Sequence, residues 1–219
     1  MLRGSRTLDG LADADEVTIW EKHRKGIMSS HIWAPEIHCI EDKWFIYFAA
    51  GNKDDIWAIR PYVLACTGDD PLKDSWMELG QMQAADDFSF KDFSLDMTVF
   101  QNRGIWYCVW AEKVSEGKKI SNLYIAEMES PSKLSTPHVL LTSPDYDWER
   151  VDFWVNEGPA LLRHDDMLYL TYSASATGEC YCMGMLSIPE DGELLNPRAW
   201  KKERVPVVKT DWKKGILGP

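Results

Sequence analysis

W-F-I-Y-F-A at residues 44–49 returns as W-Y-C-V-W-A at 106–111 and as L-Y-L-T-Y-S at 168–173. The anchors of the three runs, Trp44, Trp106 and Leu168, stand 62 positions apart each time. Every run is rich in β-branched and aromatic residues and is bounded by turn formers, the pattern of strands joined by tight turns. A period held over three copies points to a repeat architecture.

The rest of each copy follows the same order. The first reads as a strand at 36–40, a polar turn at 41–43, a strand at 44–50 and a third strand at 57–66. A turn and a short edge strand lie in T-G-D-D-P-L-K-D-S-W-M-E-L (67–79). The second copy places strands at 97–100, 105–111, 123–128 and 139–141, with a turn at 101–104. The third places them at 160–163, 167–173, 181–188 and 205–208, with a turn at 164–166. Four antiparallel strands per unit make the blade of a β-propeller. No long stretch has helical periodicity. A β-sandwich is the rival, and the fixed period favours blades.

The expected fold is therefore all-β, one β-propeller domain over residues 1–219 with about three full blades plus fragments. The opening L-R-G-S-R-T-L-D-G-L-A-D-A-D-E-V-T-I-W (2–20) resembles the second half of a blade, and a fourth anchor would fall near position 230. Rings close with about four to eight blades, so open edges and self-association through them are expected.

Composition narrows the function. With 24 Lys and Arg against 35 Asp and Glu, the net charge is -11. That balance argues against nucleic acid and anionic membrane as partners. No apolar run approaches a membrane span, and the N-terminus has no secretory signal pattern. Cys39, Cys66, Cys108, Cys180 and Cys182 are odd in number, without a C-x-x-C pair. They read as free thiols used as small core hydrophobes, and the expected location is cytoplasmic. Of the 11 tryptophans, Trp44, Trp76, Trp106 and Trp110 read as core. The acidic runs at 13–16, 54–55, 69–70 and 86–87 read as solvated loops, without the ligand order of a calcium site. Neither a phosphate loop nor a nucleophile elbow is present, so no cofactor and no metal are expected.

Two acids stand out. Asp96 in S-L-D-M-T-V-F (94–100) and Glu157 in V-N-E-G-P-A-L-L (155–162) occupy matching places of the repeat, each just before an apolar strand. An acid at the mouth of successive blades converges on the ring axis. Paired carboxylates are the equipment of glycoside hydrolysis.

Several stretches together resemble glycoside hydrolase family 43, closely its α-L-arabinofuranosidase and β-xylosidase members. They are S-R-T-L-D-G-L-A-D-A (5–14), H-I-W-A-P-E-I-H (31–38), K-W-F-I-Y-F-A-A-G (43–51), F-S-L-D-M-T-V-F (93–100), S-N-L-Y-I-A-E-M (121–128), V-N-E-G-P-A-L-L (155–162) and L-T-Y-S-A-S-A-T (170–177). The resemblance implies a five-bladed propeller, incomplete in this chain, and inverting hydrolysis of terminal α-L-arabinofuranosyl or β-xylosyl residues of plant oligosaccharides. It implies Glu157 as general acid and Asp96 as the acid that raises its pKa and orients it. The family's general base lies in an Asp-Pro stretch upstream of the match to 5–14, and no residue here corresponds to it, so impaired activity is expected. Trp33, Phe153 and Asn156 are candidate substrate contacts, with Trp33 also readable as a cap on the propeller centre. Glu36 reads as a tie between blades, and His31 and His38 as ordinary hydrogen-bonding residues. The rival readings are a carbohydrate-binding remnant without chemistry and a subunit completed by another chain.

Overall fold

The computed structural model describes residues 1–114 and 120–218. Twelve of the thirteen strands among those residues form three consecutive four-stranded units. The first is β1 (Ser30–Ile40), β2 (Lys43–Asn52), β3 (Asp55–Cys66) and β4 (Trp76–Gln81), paired in that order. The second joins β5 (Ser94–Asn102), β6 (Ile105–Val114), β7 (Ile120–Ser130) and β9 (Val139–Thr142), with β8 (Lys133–Leu134) as a short addition on β7. The third is β10 (Trp154–His164), β11 (Met167–Ala174), β12 (Cys182–Pro189) and β13 (Lys201–Lys202). Within each blade the pairing is antiparallel. A short parallel pairing of Trp154 with Ile120 and Val155 with Ser121 joins the second and third blades. These are three blades of a β-propeller, and the ring they belong to is not closed.

The repeat is visible in the turns. Each blade connects its first two strands by two residues, at 41–42, 103–104 and 165–166. All six have positive φ, from 48° at Asp165 to 84° at Gly104. Such turns match the twist of paired strands and favour Gly, Asn and Asp. The chain uses Glu-Asp, Arg-Gly and Asp-Asp.

The core lies between blades. Tyr47, Val63, Met97, Val99, Cys108 and Trp110 pack the first blade on the second. Leu95, Val109, Leu123, Leu168, Leu170, Tyr172 and Leu186 pack the second on the third. β11 alternates buried and half-buried positions along its length, as a strand between two packed faces does. Trp110 is fully buried as expected, whereas Trp44, Trp76 and Trp106 are half-buried and Trp57 and Trp212 are exposed.

Two expected strands are absent. Residues 205–208 form no strand, because Pro206 has no N–H to donate and the pairing with β12 breaks around it. It resumes where the Val207 N–H donates to Met183 O. The opening segment carries a single bridge, Leu2 with Val17, and a 3-10 turn at Asp9–Leu11. Ile19 and Trp20 then cover the outer face of the first blade against Met28, Phe48 and Leu64. A half-blade is not formed there.

Candidate functional site

The first strands of the three blades start earlier than their apolar runs suggest, at Ser30, Ser94 and Trp154. What extends them is a bulge in the same place each time. Pairing shifts between Trp33 and Glu36, between Leu95 and Thr98, and between Glu157 and Ala160. At the bulge, Ala34, Asp96 and Gly158 have φ of 45°, 52° and 57°. Asp tolerates this left-handed region better than most residues and Gly adopts it freely. Strain of this kind gathers at functional sites and costs about 1–3 kcal/mol for a non-Gly residue.

These equivalences shift the expected match by one residue. Asp96 corresponds to Gly158 and Ala34, while Glu157 corresponds to Leu95 and Trp33. Adjacent strand residues normally point to opposite faces. The bulge lets both acids reach the same hollow, so they are neighbours rather than copies, and both lie inside strands rather than before them.

The hollow is a cavity of about 1190 Å³ whose walls include Trp33, Trp57, Phe93, Phe153 and Trp154, with Asp96, Lys113, Asp152 and Glu157 among its polar groups. Asp96 and Glu157 are tied through the backbone, the Gly158 N–H donating to Asp96 Oδ2 at 2.9 Å. Burial first, and then the nearby charge of Glu157, raises the Asp96 carboxyl to about 7, against the pull of the Gly158 hydrogen bond. Burial also raises Glu157, held back by a hydrogen bond from Tyr181 and by Lys113. Two desolvated carboxyls this close titrate as a pair, and the pair keeps a proton well above the usual carboxylate range. That is the condition a general acid needs near neutral pH.

The aromatic wall is continuous. His31 packs 4.5 Å from Trp33 and stacks on Trp57 at 5.3 Å. Trp57 lies 6.3 Å from Phe93, and the Lys113 ammonium sits 4.3 Å over that ring. Phe153 is 63% exposed and Trp57 61%, so their faces are available to a sugar ring.

Of the sequence candidates, Asp96, Glu157, Trp33 and Phe153 come together on this cavity. Asn156 does not. Its side chain is fully buried on the opposite side of β10, donating to Glu149 Oε1 at 3.0 Å. Strand alternation explains this, since Glu157 faces the cavity and its neighbour must face the core. Glu36 accepts from the His38 Nε2–H at 2.9 Å, and its charge reaches Asp96 from β1. Trp57 and Lys113, which line the cavity, and Tyr181, which hydrogen-bonds Glu157, escaped the sequence reading, because each lies outside the quoted motifs and is brought to the acids by the tertiary fold. Among the described residues, no group of three or more His, Cys, Asp or Glu side chains is arranged to hold a metal ion.

Residues 1–219 match Glycosyl hydrolases family 43 along their whole length. The chain is 45% identical over 219 residues to an extracellular exo-alpha-(1->5)-L-arabinofuranosidase of Streptomyces avermitilis, covering all of this chain and 45% of that protein. It is 44% identical over 207 residues to the enzyme of the same name from Streptomyces chartreusis, covering 94% of this chain and 62% of that one. Among solved structures, an alpha-L-arabinofuranosidase from Lactobacillus brevis superposes with a TM-score of 0.88 at 47% identity, over 96% of this chain and 66% of that one. The chain thus spans about half the length of the curated relatives it matches.

The names of the Streptomyces relatives overturn the cytoplasmic expectation, since both are called extracellular. The free cysteines misled: Cys66, Cys108 and Cys182 are buried, and a thiol shut away in a core stays reduced in any compartment. With the family's order of motifs, the bladed fold and the whole-length match in agreement, the chain belongs to glycosyl hydrolase family 43.

Proposed function

We propose that this chain carries the acid half of an inverting arabinofuranosidase, acting on terminal α-L-arabinofuranosyl units of plant oligosaccharides. The observation that carries the reading is the Asp96–Glu157 pair on one aromatic cavity, with the Gly158 N–H next to Glu157 donating to Asp96 Oδ2. Glu157 donates its proton to the departing glycosidic oxygen as the bond to the anomeric carbon breaks. Asp96 keeps that proton available by its nearness. Inversion also needs a carboxylate about 6.5–9.5 Å from the acid to activate water on the opposite sugar face. Among the described residues none is assigned that role. The relatives' names place them on arabinofuranosides, and the aromatic wall suits a furanose and the sugar beyond it.

The test is turnover of 4-nitrophenyl α-L-arabinofuranoside with and without sodium azide, in the parent chain and in Glu157→Gln. Azide is a nucleophile that needs no general base. It attacks the anomeric carbon as the leaving oxygen takes the proton of Glu157. The expected result is azide-dependent release of nitrophenol, with arabinosyl azide of inverted configuration, reduced about 10²–10⁴-fold in Glu157→Gln. No azide-dependent product, or equal rates in both proteins, would overturn the reading. The exposed rings Trp57 and Phe153 favour a second reading, carbohydrate binding without chemistry. It predicts calorimetric heat with arabino-oligosaccharides together with no turnover in either medium.

A further inference from the structure

Tyr181 lies just ahead of β12, outside every stretch that carries the family resemblance. Its phenol nevertheless donates to Glu157 Oε1 at 3.0 Å. Ser173, the cross-strand partner of Glu157 on β11, stands close enough to the same phenol to favour its ionised form. The phenol thus engages one oxygen of the acid, with Ser173 of the neighbouring strand beside it. Among the described residues the other oxygen, Oε2, accepts no hydrogen bond, and Glu157 lines the cavity.

We propose that Tyr181 is a positioning residue for Glu157: its phenol, backed by Ser173, holds Oε1 so that Oε2 carries the transferable proton into the cavity. The inference rests on the reading of Glu157 as the acid. A carboxyl that accepts a hydrogen bond at one oxygen is protonated at the other, so the phenol decides which oxygen faces the substrate. It also fixes the side chain's rotation, which governs how well a proton donor lines up with its acceptor.

Burial and the charge of Glu157 push the Tyr181 hydroxyl far above its ordinary range, so it remains a donor at every working pH. A donor to a carboxylate favours the ionised form. Tyr181 therefore opposes the upward push that burial exerts on Glu157. The other groups facing the acid are Lys113 from β6, which also favours the ionised form, and Asp96 from β5, which forms the pair with it. Glu36 from β1 acts on Asp96. Ser173 is neutral and polarises the phenol, strengthening its donation.

The experiment is a carboxyl-carbon NMR titration of the chain labelled with ¹³C-glutamate, the Glu157 signal being assigned by its loss in Glu157→Gln. Tyr181→Phe removes the donor and keeps the ring. Its Glu157 midpoint is expected at higher pH than in the parent, and Ser173→Ala moves it the same way by less. An unchanged or lowered midpoint in folded Tyr181→Phe would overturn the proposal. Should Tyr181→Phe fail to fold, an unchanged midpoint in Ser173→Ala overturns it equally. The titration needs no turnover, so its failure is separable from failure of the azide assay. A residue that merely packed beside the acid would leave the midpoint where it is.

Discussion

Asp96→Asn is expected to stabilise the fold while disabling the site, and the size of the gain depends on pH. The Asp96 carboxyl is raised from 3.8 to about 7 in the folded chain, by burial first and then by Glu157. In the unfolded chain it ionises near 3.8, so between these values the native state binds more protons and stability falls as pH rises. At 1.36 kcal/mol per pH unit, the loss reaches about 2 kcal/mol by pH 5 and about 4 kcal/mol above pH 7. It is absent below pH 3.8. Asparagine keeps an amide oxygen for the Gly158 N–H and carries no charge. The variant should match the parent near pH 4 and exceed it by about 4 kcal/mol at pH 8. For a chain of this length that corresponds to a rise in Tm of about 10 °C. Paired thermal and urea melts followed by tryptophan fluorescence from pH 4 to 8 measure it. A difference that does not change with pH, or a variant less stable at pH 8, would refute the reasoning.

Trp57→Ala should weaken arabino-oligosaccharide binding by about 1–2 kcal/mol, the value of a stacked ring face, without lowering Tm, because the ring is exposed; calorimetry and a melt check both. Lys202→Met should cost about 3–5 kcal/mol. It strips the 2.8 Å ion pair from Glu149, a fully buried carboxylate that also accepts from Asn156, Tyr172 and the N–H groups of Asp145 and Tyr146. Urea unfolding is the measurement, and a loss below about 1 kcal/mol would show that the network closes without the lysine.

The blades were legible because their signal is local and repeated. Apolar runs such as 44–49 and 106–111 each need one packed face on either side, and a two-residue turn between strands leaves a polar dipeptide at a fixed offset. The first strands were read too short for a physical reason. Alternation is interrupted at Ala34, Asp96 and Gly158, and a bulge looks like the end of a strand when only hydrophobicity is followed. The 205–208 run failed for the opposite reason. Its valines fit a strand, but Pro206 cannot join the ladder.

The amino-acid order alone determined the period, the all-β class and the two acids proposed for the chemistry, since those depend on residue type and spacing along the chain. Which of their neighbours share the hollow was decided only by tertiary structure. Asn156, adjacent to the acid, faces the core, while Tyr181, 24 positions away from Glu157, touches it. Strand pairing and the bulge set side-chain direction, and direction is a property of three-dimensional packing that linear spacing does not contain.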